Sequence, residues 1–470
     1  MSTSQAHRSN ELVVSHRQDA RRLSLRTRLN RVLYSSRRTP WLLLDTVSAL
    51  AFFQLGLRIS PYAERPAVVD LLFPLTVVFA ISFGVISLGL GSYDREDRFD
   101  YVSIVRNALI AAFLASLVDL GYHYFTLYAV VGRFTLVYGG AASFVGIVAF
   151  RTAMAYAVRQ HPYRFTILGS SRVVDELKTS WSDGRTGRGL ALIPWSSIFG
   201  PDDAPSSARL VEADLAEIVV AASALSEDEA IATALLAMRS NVPVVDDRTF
   251  YGRLFERIPI DDISKRWILE QGLARPQGLV IAAKRFVDIV AAGLGLIVLS
   301  PLLALIGLVV KLSSPGPAVF VQVRQGRFHR PFRMFKFRSM RQDASAADGF
   351  TRLGDDRVTT VGRFLRRSRL DELPQLWNVL RGEVSLVGPR PEAIDFALRM
   401  HEELPLYELR YLVRPGVTGH AQLKHGYAMD NADDTRVSLS YDLYYLCNYT
   451  LRMDLRIILR TILFLTRGAR

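Results

Sequence analysis

Long apolar runs dominate the first third of the chain. Four stretches of membrane length, about residues 41–59, 68–91, 102–121 and 124–150, are separated by short polar joints. A bilayer core needs about 20 apolar residues of helix, so each run predicts a transmembrane helix. The preceding residues 1–40 are polar and rich in arginine, which predicts a cytoplasmic N-terminus by the positive-inside rule. Four crossings return the chain to the cytoplasmic side, and four buried helices of a soluble protein are the disfavoured alternative.

The pattern then changes to short β runs that alternate with helices, over residues 160–262. A strand at Arg164–Leu168 and buried strands at Glu217–Ala221 and Val242–Val245 predict a degenerate Rossmann-like module with a parallel sheet. The first strand ends in Gly169-Ser170-Ser171-Arg172, which lacks the second and third glycines of a dinucleotide fingerprint. A structural or regulatory module is therefore favoured over cofactor binding.

A further apolar segment, residues 283–311, is interrupted at Ser300-Pro301. Proline kinks a helix, and each half is about 20 Å long, too short to span a bilayer alone. Both flanks are basic, which a single crossing does not satisfy. We expect a re-entrant helix with a break, and an ordinary kinked crossing is the alternative. Lys284 and Asp288 share a helix face and can pair, so that with Arg285 they would anchor the helix at the lipid boundary.

Composition narrows the class of protein. Of 470 residues, 50% are hydrophobic and 22% are charged, which excludes a disordered chain and disfavours an ordinary soluble enzyme. The 58 Lys and Arg exceed the 45 Asp and Glu and give a net charge of +13, which suits nucleic acid, anionic lipid or a phosphate-rich substrate. The single cysteine, Cys447, excludes an intramolecular disulfide and a zinc site built on several cysteines.

The densest polar pattern lies in residues 361–391. Arg366 precedes Asp371-Glu372, and Asp371 is predicted as the N-cap of a helix that ends at Gly382. Adjacent helical residues point about 100° apart, so the two acids would take different roles. One could attack a substrate while the other holds a metal.

Cations surround this acidic pair in the sequence. A basic strand over residues 332–340 places Lys336 and Arg338 on one face, which suits a diphosphate. A solvated basic strand near anionic lipid is the alternative. The turn at residues 385–391 presents Arg390 as a further cation.

From Lys284 to its end the chain resembles the bacterial sugar transferases, also called polyprenyl-phosphate hexose-1-phosphate transferases. Six motifs occur in the family's order: Lys284-Arg285-x-x-Asp288, Ser300-Pro301, Lys336-Phe337-Arg338-Ser339-Met340, Leu370-Asp371-Glu372-Leu373-Pro374-Gln375, Ser385-Leu386-Val387-Gly388-Pro389-Arg390-Pro391 and Arg414-Pro415-Gly416-Val417-Thr418-Gly419. The expected fold is an integral membrane α-helical bundle, an α/β Rossmann-like module and a C-terminal α+β catalytic domain over 278–470 that contains the re-entrant helix.

The resemblance implies transfer of hexose-1-phosphate from a UDP-sugar to undecaprenyl (polyprenyl) phosphate with release of UMP. This reaction initiates exopolysaccharide, capsule or O-antigen synthesis. It implies Asp371 as a nucleophile that forms an aspartyl-phosphosugar intermediate, and Glu372 as a ligand of Mg²⁺. Lys336, Arg338 and Arg366 are candidate phosphate-binding residues, and Arg390 is another.

The resemblance also implies a multi-pass protein of the bacterial inner (cytoplasmic) membrane with a cytoplasmic catalytic domain, and it is compatible with a homodimer. Nucleic acid is not expected as a partner, because the arginines gather at the membrane edges and around Asp371-Glu372. Two alternatives stay open: a glycosyltransferase that moves sugar without phosphate, and a non-enzymatic membrane scaffold that senses a nucleotide.

Overall fold

A computed structural model describes residues 39–59, 66–126, 133–160, 162–182, 190–200, 205–221, 225–263, 278–341, 357–404, 406–426 and 431–465. The chain divides into two compact units, an N-terminal unit that ends at Phe255 and a C-terminal unit that begins at Glu256.

Helices predominate in both units. In the N-terminal unit the helices and strands are α1 (Thr39–Ile59), α2 (Pro66–Gly89), α3 (Arg95–Arg98), α4 (Tyr101–Thr126), α5 (Arg133–Gln160), β1 (Tyr163–Leu168), α6 (Arg172–Ser182), β2 (Leu190–Leu192), α7 (Trp195–Ile198), α8 (Ser207–Glu212), β3 (Glu217–Val220), α9 (Glu227–Ser240), β4 (Val244–Asp246) and α10 (Asp247–Phe255). The C-terminal unit has α11 (Gly278–Ser313), β5 (Val319–Gln325), β6 (Pro331–Phe337), α12 (Thr360–Ser368), α13 (Gln375–Arg381), β7 (Ser385–Val387), α14 (Ile394–Glu403), β8 (Gly416–Thr418), α15 (His420–Lys424), α16 (Ala432–Cys447) and α17 (Leu451–Leu465), together with short 3₁₀ turns.

Four helices of the described residues are long and apolar enough to cross a membrane: Thr39–Ile59, Tyr101–Tyr122, Val137–Gln160 and Gly278–Ser313. The predicted second span corresponds to α2, of which the part with described side chains, Phe73–Gly89, counts as a shorter apolar helix. The chain is therefore a membrane protein.

One predicted boundary in the membrane helices is wrong. The sequence predicts a polar joint at Gly121-Tyr122-His123, whereas α4 continues to Thr126. Glycine is tolerated within a membrane helix. The bilayer core has no water that could bond to the backbone, so the helical hydrogen bonds are retained.

The α/β part of the N-terminal unit contains a four-stranded parallel sheet in the order β2-β1-β3-β4. The predicted parallel strands are confirmed. Beyond β1, Ser171 accepts a hydrogen bond from the Val174 N–H, and its hydroxyl donates to the Asp247 carboxylate. A carboxylate thus lies at the start of α6, the position at which a dinucleotide fold binds pyrophosphate.

The long helix α11 is continuous from Gly278 to Ser313 and contains Pro301, so the predicted break into two helices is wrong. Proline lacks the N–H that would bond to the carbonyl four residues earlier, which here belongs to Ile297. The Ser300 hydroxyl donates to that Ile297 carbonyl at 2.7 Å. Because a side chain satisfies the carbonyl that Pro301 leaves without its donor, the helix continues.

The rest of the C-terminal unit packs along α11. In its middle Ala292 lies in a cluster with Phe332 and Val379. Near its end Val310 packs with Phe337. The antiparallel hairpin β5–β6 and the short parallel pair β7–β8 are the two small sheets of this unit.

Candidate active site

The acidic pair lies on a 3₁₀ turn, Leu370–Glu372, between α12 and α13. The predicted N-cap role of Asp371 is wrong, because α13 begins after Pro374 and no side chain caps it. The turn is set by Arg369, which has a positive φ of 57° and ends α12. The predicted stop at Gly382 is confirmed, with φ of 79°.

Lys336 on β6 pairs with Glu372. Its Nζ donates to Glu372 Oε1 at 3.0 Å, and the two side chains are 17% and 12% exposed. Burial alone would raise the pKa of Glu372, but the positive charges of Lys336 and Arg390 hold it below its usual value. Burial lowers the pKa of Lys336, and the Glu372 charge opposes this shift. Glu372 is therefore ionised at neutral pH.

Asp371 is buried beside this pair and behaves differently. Burial, together with the negative charge of Glu372, raises the pKa of Asp371 to about 6, while Lys336 and Arg366 act in the opposite direction. Two adjacent carboxyl groups thus differ in their affinity for a proton, which is a common property of residues that react.

The guanidinium of Arg366 is directed by Ser339. Arg366 Nε donates to Ser339 Oγ at 2.7 Å. The start of α12 is fixed to the same residue, because the Thr359 N–H bonds to the Ser339 carbonyl and Thr359 Oγ1 caps the Gly362 N–H. Ser339, the fourth residue of the basic motif, therefore positions Arg366 toward Asp371.

Arg390 lies on the turn after β7, and a buried pair holds its backbone. Arg410 Nη2 donates to the Arg390 carbonyl at 3.1 Å and lies 2.9 Å from Asp442 Oδ2. Both Arg410 and Asp442 are buried. They keep the turn, and with it Arg390, at a fixed place next to Glu372.

Arg324 is a cation of the site that the sequence alone does not single out. Its Nη1 lies 3.4 Å from the Pro391 carbonyl. Burial lowers the pKa of Arg324 to about 10, assisted by the charge of Arg390, with Glu392 and Glu372 opposing. The sequence signal that could have identified Arg324 is the alternation along β5. It places Arg324 on the same face of the hairpin as Lys336 of the partner strand.

Asn378 is a second residue whose importance the sequence does not reveal. Its side chain is fully buried; Oδ1 accepts from the Phe335 N–H, and Nδ2 donates to the Arg333 carbonyl. Nδ2 also donates to Glu383 Oε2. The amide thus ties α13 to β6 and fixes Lys336 relative to the acidic turn. A polar residue among the apolar positions of α13 was the available signal.

Arg338 has different partners from Lys336, although the sequence predicts that the two point together. The strand ends at Phe337, and Arg338 Nη2 donates to the carbonyls of Val310 and Ser314 at the end of α11. Cations at a helix C-terminus are stabilising. This placement favours a structural role for Arg338.

The basic start of α11 anchors the helix to its own unit. Lys284 and Asp288 do not pair as predicted; Lys284 Nζ pairs with Asp454 at 2.6 Å, and Asp288 accepts from the Leu386 N–H. Arg285 donates to the Val379 and Leu380 carbonyls. All three side chains bond to residues far along the chain, because they face the rest of the C-terminal unit rather than each other.

The carboxylates of Asp371 and Glu372 are the side chains of the site that could bind a metal. In the described part of the chain no three His, Cys, Asp or Glu side chains meet in a way that could hold an ion. Mg²⁺ is commonly bound by one or two carboxylates together with substrate phosphate oxygens. Asp371 and Glu372 fit that donor set when a diphosphate supplies the remaining ligands.

Similarity to known proteins lies in the C-terminal part of the chain. The family described as "Bacterial sugar transferase" matches residues 279–468. A UDP-glucose:undecaprenyl-phosphate glucose-1-phosphate transferase of Caulobacter vibrioides is 44% identical over 41% of this chain and 73% of its own length. The chain belongs to the bacterial sugar transferase family.

Two further relatives show how far the likeness extends. The exopolysaccharide production protein PSS of Rhizobium leguminosarum bv. phaseoli is 42% identical over 40% of this chain and 98% of its own length. A UDP-N-acetylgalactosamine-undecaprenyl-phosphate N-acetylgalactosaminephosphotransferase of Aeromonas hydrophila is 41% identical over 49% of this chain. The chain matches about half, 53%, of that relative's length.

Proposed function

We propose that the chain is an undecaprenyl-phosphate hexose-1-phosphate transferase that initiates synthesis of an exopolysaccharide or O-antigen. Family membership supports this activity, and relatives named for glucose-1-phosphate and N-acetylgalactosamine phosphate transfer support a UDP-sugar donor. The observation that carries the proposal within the structure is a buried carboxyl, Asp371, beside the Lys336–Glu372 pair.

The reaction is a double displacement at phosphorus. A carboxylate oxygen of Asp371 attacks the phosphorus that bears the sugar, and the bond to the bridging oxygen breaks. UMP leaves with that oxygen and its electron pair, and an aspartyl-phosphosugar remains. A phosphate oxygen of the polyprenyl phosphate then attacks the same phosphorus, which forms the lipid diphosphate sugar and restores the Asp371 carboxylate. No water is consumed.

Cations make the first attack feasible, because a carboxylate approaches an anionic diphosphate only when charge is neutralised. Arg366 acts near Asp371, whereas Lys336 and Arg390 act near Glu372. Glu372, kept ionised by Lys336, is the proposed ligand of Mg²⁺, and Asp371 is adjacent to it. Bound Mg²⁺ would neutralise diphosphate charge in the complex with the donor.

The nucleoside product distinguishes this reaction from sugar transfer without phosphate. Donor labelled separately in the sugar and in the sugar-bearing phosphorus is incubated with membranes that contain the chain. We expect both labels in the lipid product and UMP in the water phase. Phosphorus label that stays in released UDP would reject the proposal. An Asp371→Asn variant is the control for background transferases, and a non-enzymatic scaffold would show no product from either chain.

We propose further that α11 lies within one leaflet as a re-entrant helix, with the C-terminal unit in the cytoplasm. Contacts along the whole helix with the rest of the C-terminal unit support this: Lys284 near its start pairs with Asp454, Ala292 in its middle packs with Val379, and Val310 near its end packs with Phe337. A helix that crossed the bilayer would carry its two ends to opposite sides. The other face is apolar and exposed, as at Phe286, Ile297 and Leu308.

Cysteine accessibility tests this topology. In a Cys447→Ser background, Leu279→Cys and Leu312→Cys each place one thiol at an exposed position near an end of α11. We expect a membrane-impermeant maleimide to label both in inverted vesicles and neither in right-side-out cells. Labelling of the two positions from opposite sides would reject the re-entrant placement and leave the transferase activity untouched.

A further inference from the structure

The first residues of the C-terminal unit, residues 256–263, lie outside the part of the chain that matches the family, which begins at residue 279. They nevertheless belong to the core of that unit. Ile258 is 5% exposed and lies in a cluster with Met400. Its N–H bonds to the Ser440 carbonyl of α16 at 3.1 Å. Residues 256–263 are called the brace here.

Glu256, the first residue of the brace, joins two helices through its carboxylate. Its Oε2 lies 3.1 Å from Lys424 Nζ of α15, and its Oε1 lies 3.2 Å from Arg456 Nη1 of α17. All three side chains are at most 18% exposed, so their charges interact more strongly than they would in water. Because the carboxylate lies between two cations that would otherwise repel each other, it holds α15 and α17 together.

The backbone of Glu256 makes a further contact with α15. Its carbonyl accepts a hydrogen bond from Nε2 of His420 at 2.9 Å, and His420 is the buried first residue of α15. Glu256 has a positive φ of 54°, a left-handed conformation that is unfavourable for a residue with a side chain. The contacts of its carboxylate and its carbonyl stabilise this conformation.

Helix α15 connects the brace to the turn that carries Arg390. Gly419, directly before α15, packs so closely on this turn that a Cβ there would overlap the Gly388 carbonyl oxygen. The Gly388 N–H bonds to the Thr418 carbonyl at 2.9 Å. A displacement of α15 would therefore also displace the backbone two residues before Arg390.

Helix α16 makes a second connection to the same turn. The brace bonds to Ser440, and Asp442, two residues further along α16, lies 2.9 Å from Arg410 Nη2. The same nitrogen of Arg410 donates to the Arg390 carbonyl at 3.1 Å. The brace thus contacts both helices that hold the backbone around Arg390.

We propose that the brace positions Arg390 for phosphosugar transfer, with Glu256 as its principal positioning residue. Glu256 acts through α15 and α16 rather than on the substrate. The charge of Arg390 acts on Glu372 and helps to keep that carboxylate ionised, so the placement of Arg390 bears directly on the acidic pair. The role in transfer rests on the proposed function, whereas the connection from Glu256 to the Arg390 turn does not.

Hydrogen exchange of the full chain in detergent tests this connection without an activity. Glu256→Gln removes the charge, and Asp261→Asn is the matched control in the same brace. The Asp261–Arg436 pair is 38% and 43% exposed and should contribute little. We expect the peptide with the Gly388 N–H to exchange about tenfold faster in Glu256→Gln alone, with no change in the N-terminal unit. Equal exchange by the wild type and Glu256→Gln would overturn the proposal.

Rates of UMP release from the UDP-sugar separate a positioning role from a merely structural one. Glu256→Gln should lower the initial rate by about tenfold, and Glu256→Asp, which keeps the charge, should recover part of that loss. Arg390→Ala should lower the rate by itself. In that background Glu256→Gln should have no further effect, because Glu256 acts through Arg390. Losses that multiply in the double variant would overturn the positioning role.

The two measurements also separate the brace from the transferase activity. If no chain releases UMP and Glu256→Gln still exchanges faster at Gly388, the proposed function fails and the connection stands. If UMP release and exchange are both unchanged in Glu256→Gln, the brace is rejected and the proposed function stands. Should Glu256→Gln not fold, Lys424→Gln leaves the Glu256–Arg456 pair in place, and the same changes are expected to a smaller extent; their absence would equally reject the brace.

Discussion

Lys336 Nζ lies 3.0 Å from Glu372 Oε1, and this pair is next to the buried carboxyl of Asp371. The contact joins β6 to the 3₁₀ turn and so brings the basic motif onto the acidic one. It also makes the pKa values of the two acids differ. Glu372 keeps its charge, whereas Asp371 has a pKa of about 6.

Titration of Asp371 should follow from this arrangement. In the metal-free chain, a raised pKa means that Asp371 is protonated below about pH 6 and ionised above it. Infrared difference spectra between the wild type and Asp371→Asn should show a carboxyl band that disappears as the pH rises through about 6, whereas an ordinary aspartate would lose it near about 4. A midpoint at that ordinary value would contradict the buried placement.

Replacement of Lys336 by methionine removes the cation that favours ionised Asp371 and Glu372. The Asp371 midpoint should then move upward in pH. UMP release should fall by roughly 100-fold, since one positioned charge donor contributes about that much at an oxyanion. The conservative variant Lys336→Arg should retain more activity. If the two variants were equally inactive with an unchanged midpoint, charge would not be the function of Lys336.

Asn378 should matter for stability and for activity together. Asn378→Leu leaves the Phe335 N–H and the Arg333 carbonyl without their buried partner, which costs about 1–3 kcal/mol each. For a unit of this size, 1 kcal/mol lowers the unfolding midpoint by roughly 2–4 °C. Thermal unfolding in detergent measures this loss. Ser368→Ala removes only a hydroxyl that bonds to its own helix and should leave the midpoint nearly unchanged.

Close backbone approach at Gly362 predicts a local effect. A Cβ there would stand 2.0 Å from the Ser339 carbonyl oxygen, so Gly362→Ala must displace the start of α12. Arg366, which bonds to Ser339, moves with it, and a shift of about 1 Å in such a group can cost up to roughly 100-fold in rate. Initial rates of UMP release should fall, while Gly278→Ala, where nothing lies within 4 Å, should behave as the wild type. Equal rates for the two variants would contradict this packing.

The buried Lys284–Asp454 pair gives a test by double substitution. Breaking one partner leaves a buried charge and costs about 3–5 kcal/mol, whereas replacing both with apolar residues is often nearly neutral. Lys284→Met should therefore destabilise the detergent-solubilised chain strongly, and Lys284→Met with Asp454→Leu should recover most of the loss. Additive destabilisation would indicate that the two side chains act separately.

The features that the sequence predicts correctly are those that a local pattern determines. The length of the apolar runs predicts the membrane helices, the alternation of short β runs with helices predicts the parallel strands, and the order of the motifs predicts the family. The sequence does not predict a side chain's bonding partner when that partner lies far along the chain. Lys284 and Asp288 satisfy the spacing for a pair, but Asp454, which is 170 residues away, supplies the carboxylate. Tertiary contacts of that kind leave no periodic signal.

The proline of α11 illustrates a second limit. A break at Pro301 follows from the missing N–H, yet the adjacent Ser300 hydroxyl takes over the Ile297 carbonyl and the helix continues. Arg324 and Asn378 were overlooked for a related reason. Each lies in a segment whose overall pattern, an alternating apolar strand for Arg324 and an apolar helix for Asn378, describes the average residue rather than the one that contacts the site.

In the proposed reaction Asp371 carries the phosphosugar between donor and acceptor. The most direct measurement is the mass of the intact, purified chain after incubation with UDP-sugar in the absence of polyprenyl phosphate, followed by peptide mapping. We expect a gain equal to one hexose phosphate less one water, located on the peptide that contains Asp371, removed by added polyprenyl phosphate and absent from Asp371→Asn. A chain that releases UMP without any gain in mass, or with the added mass on another residue, would contradict it.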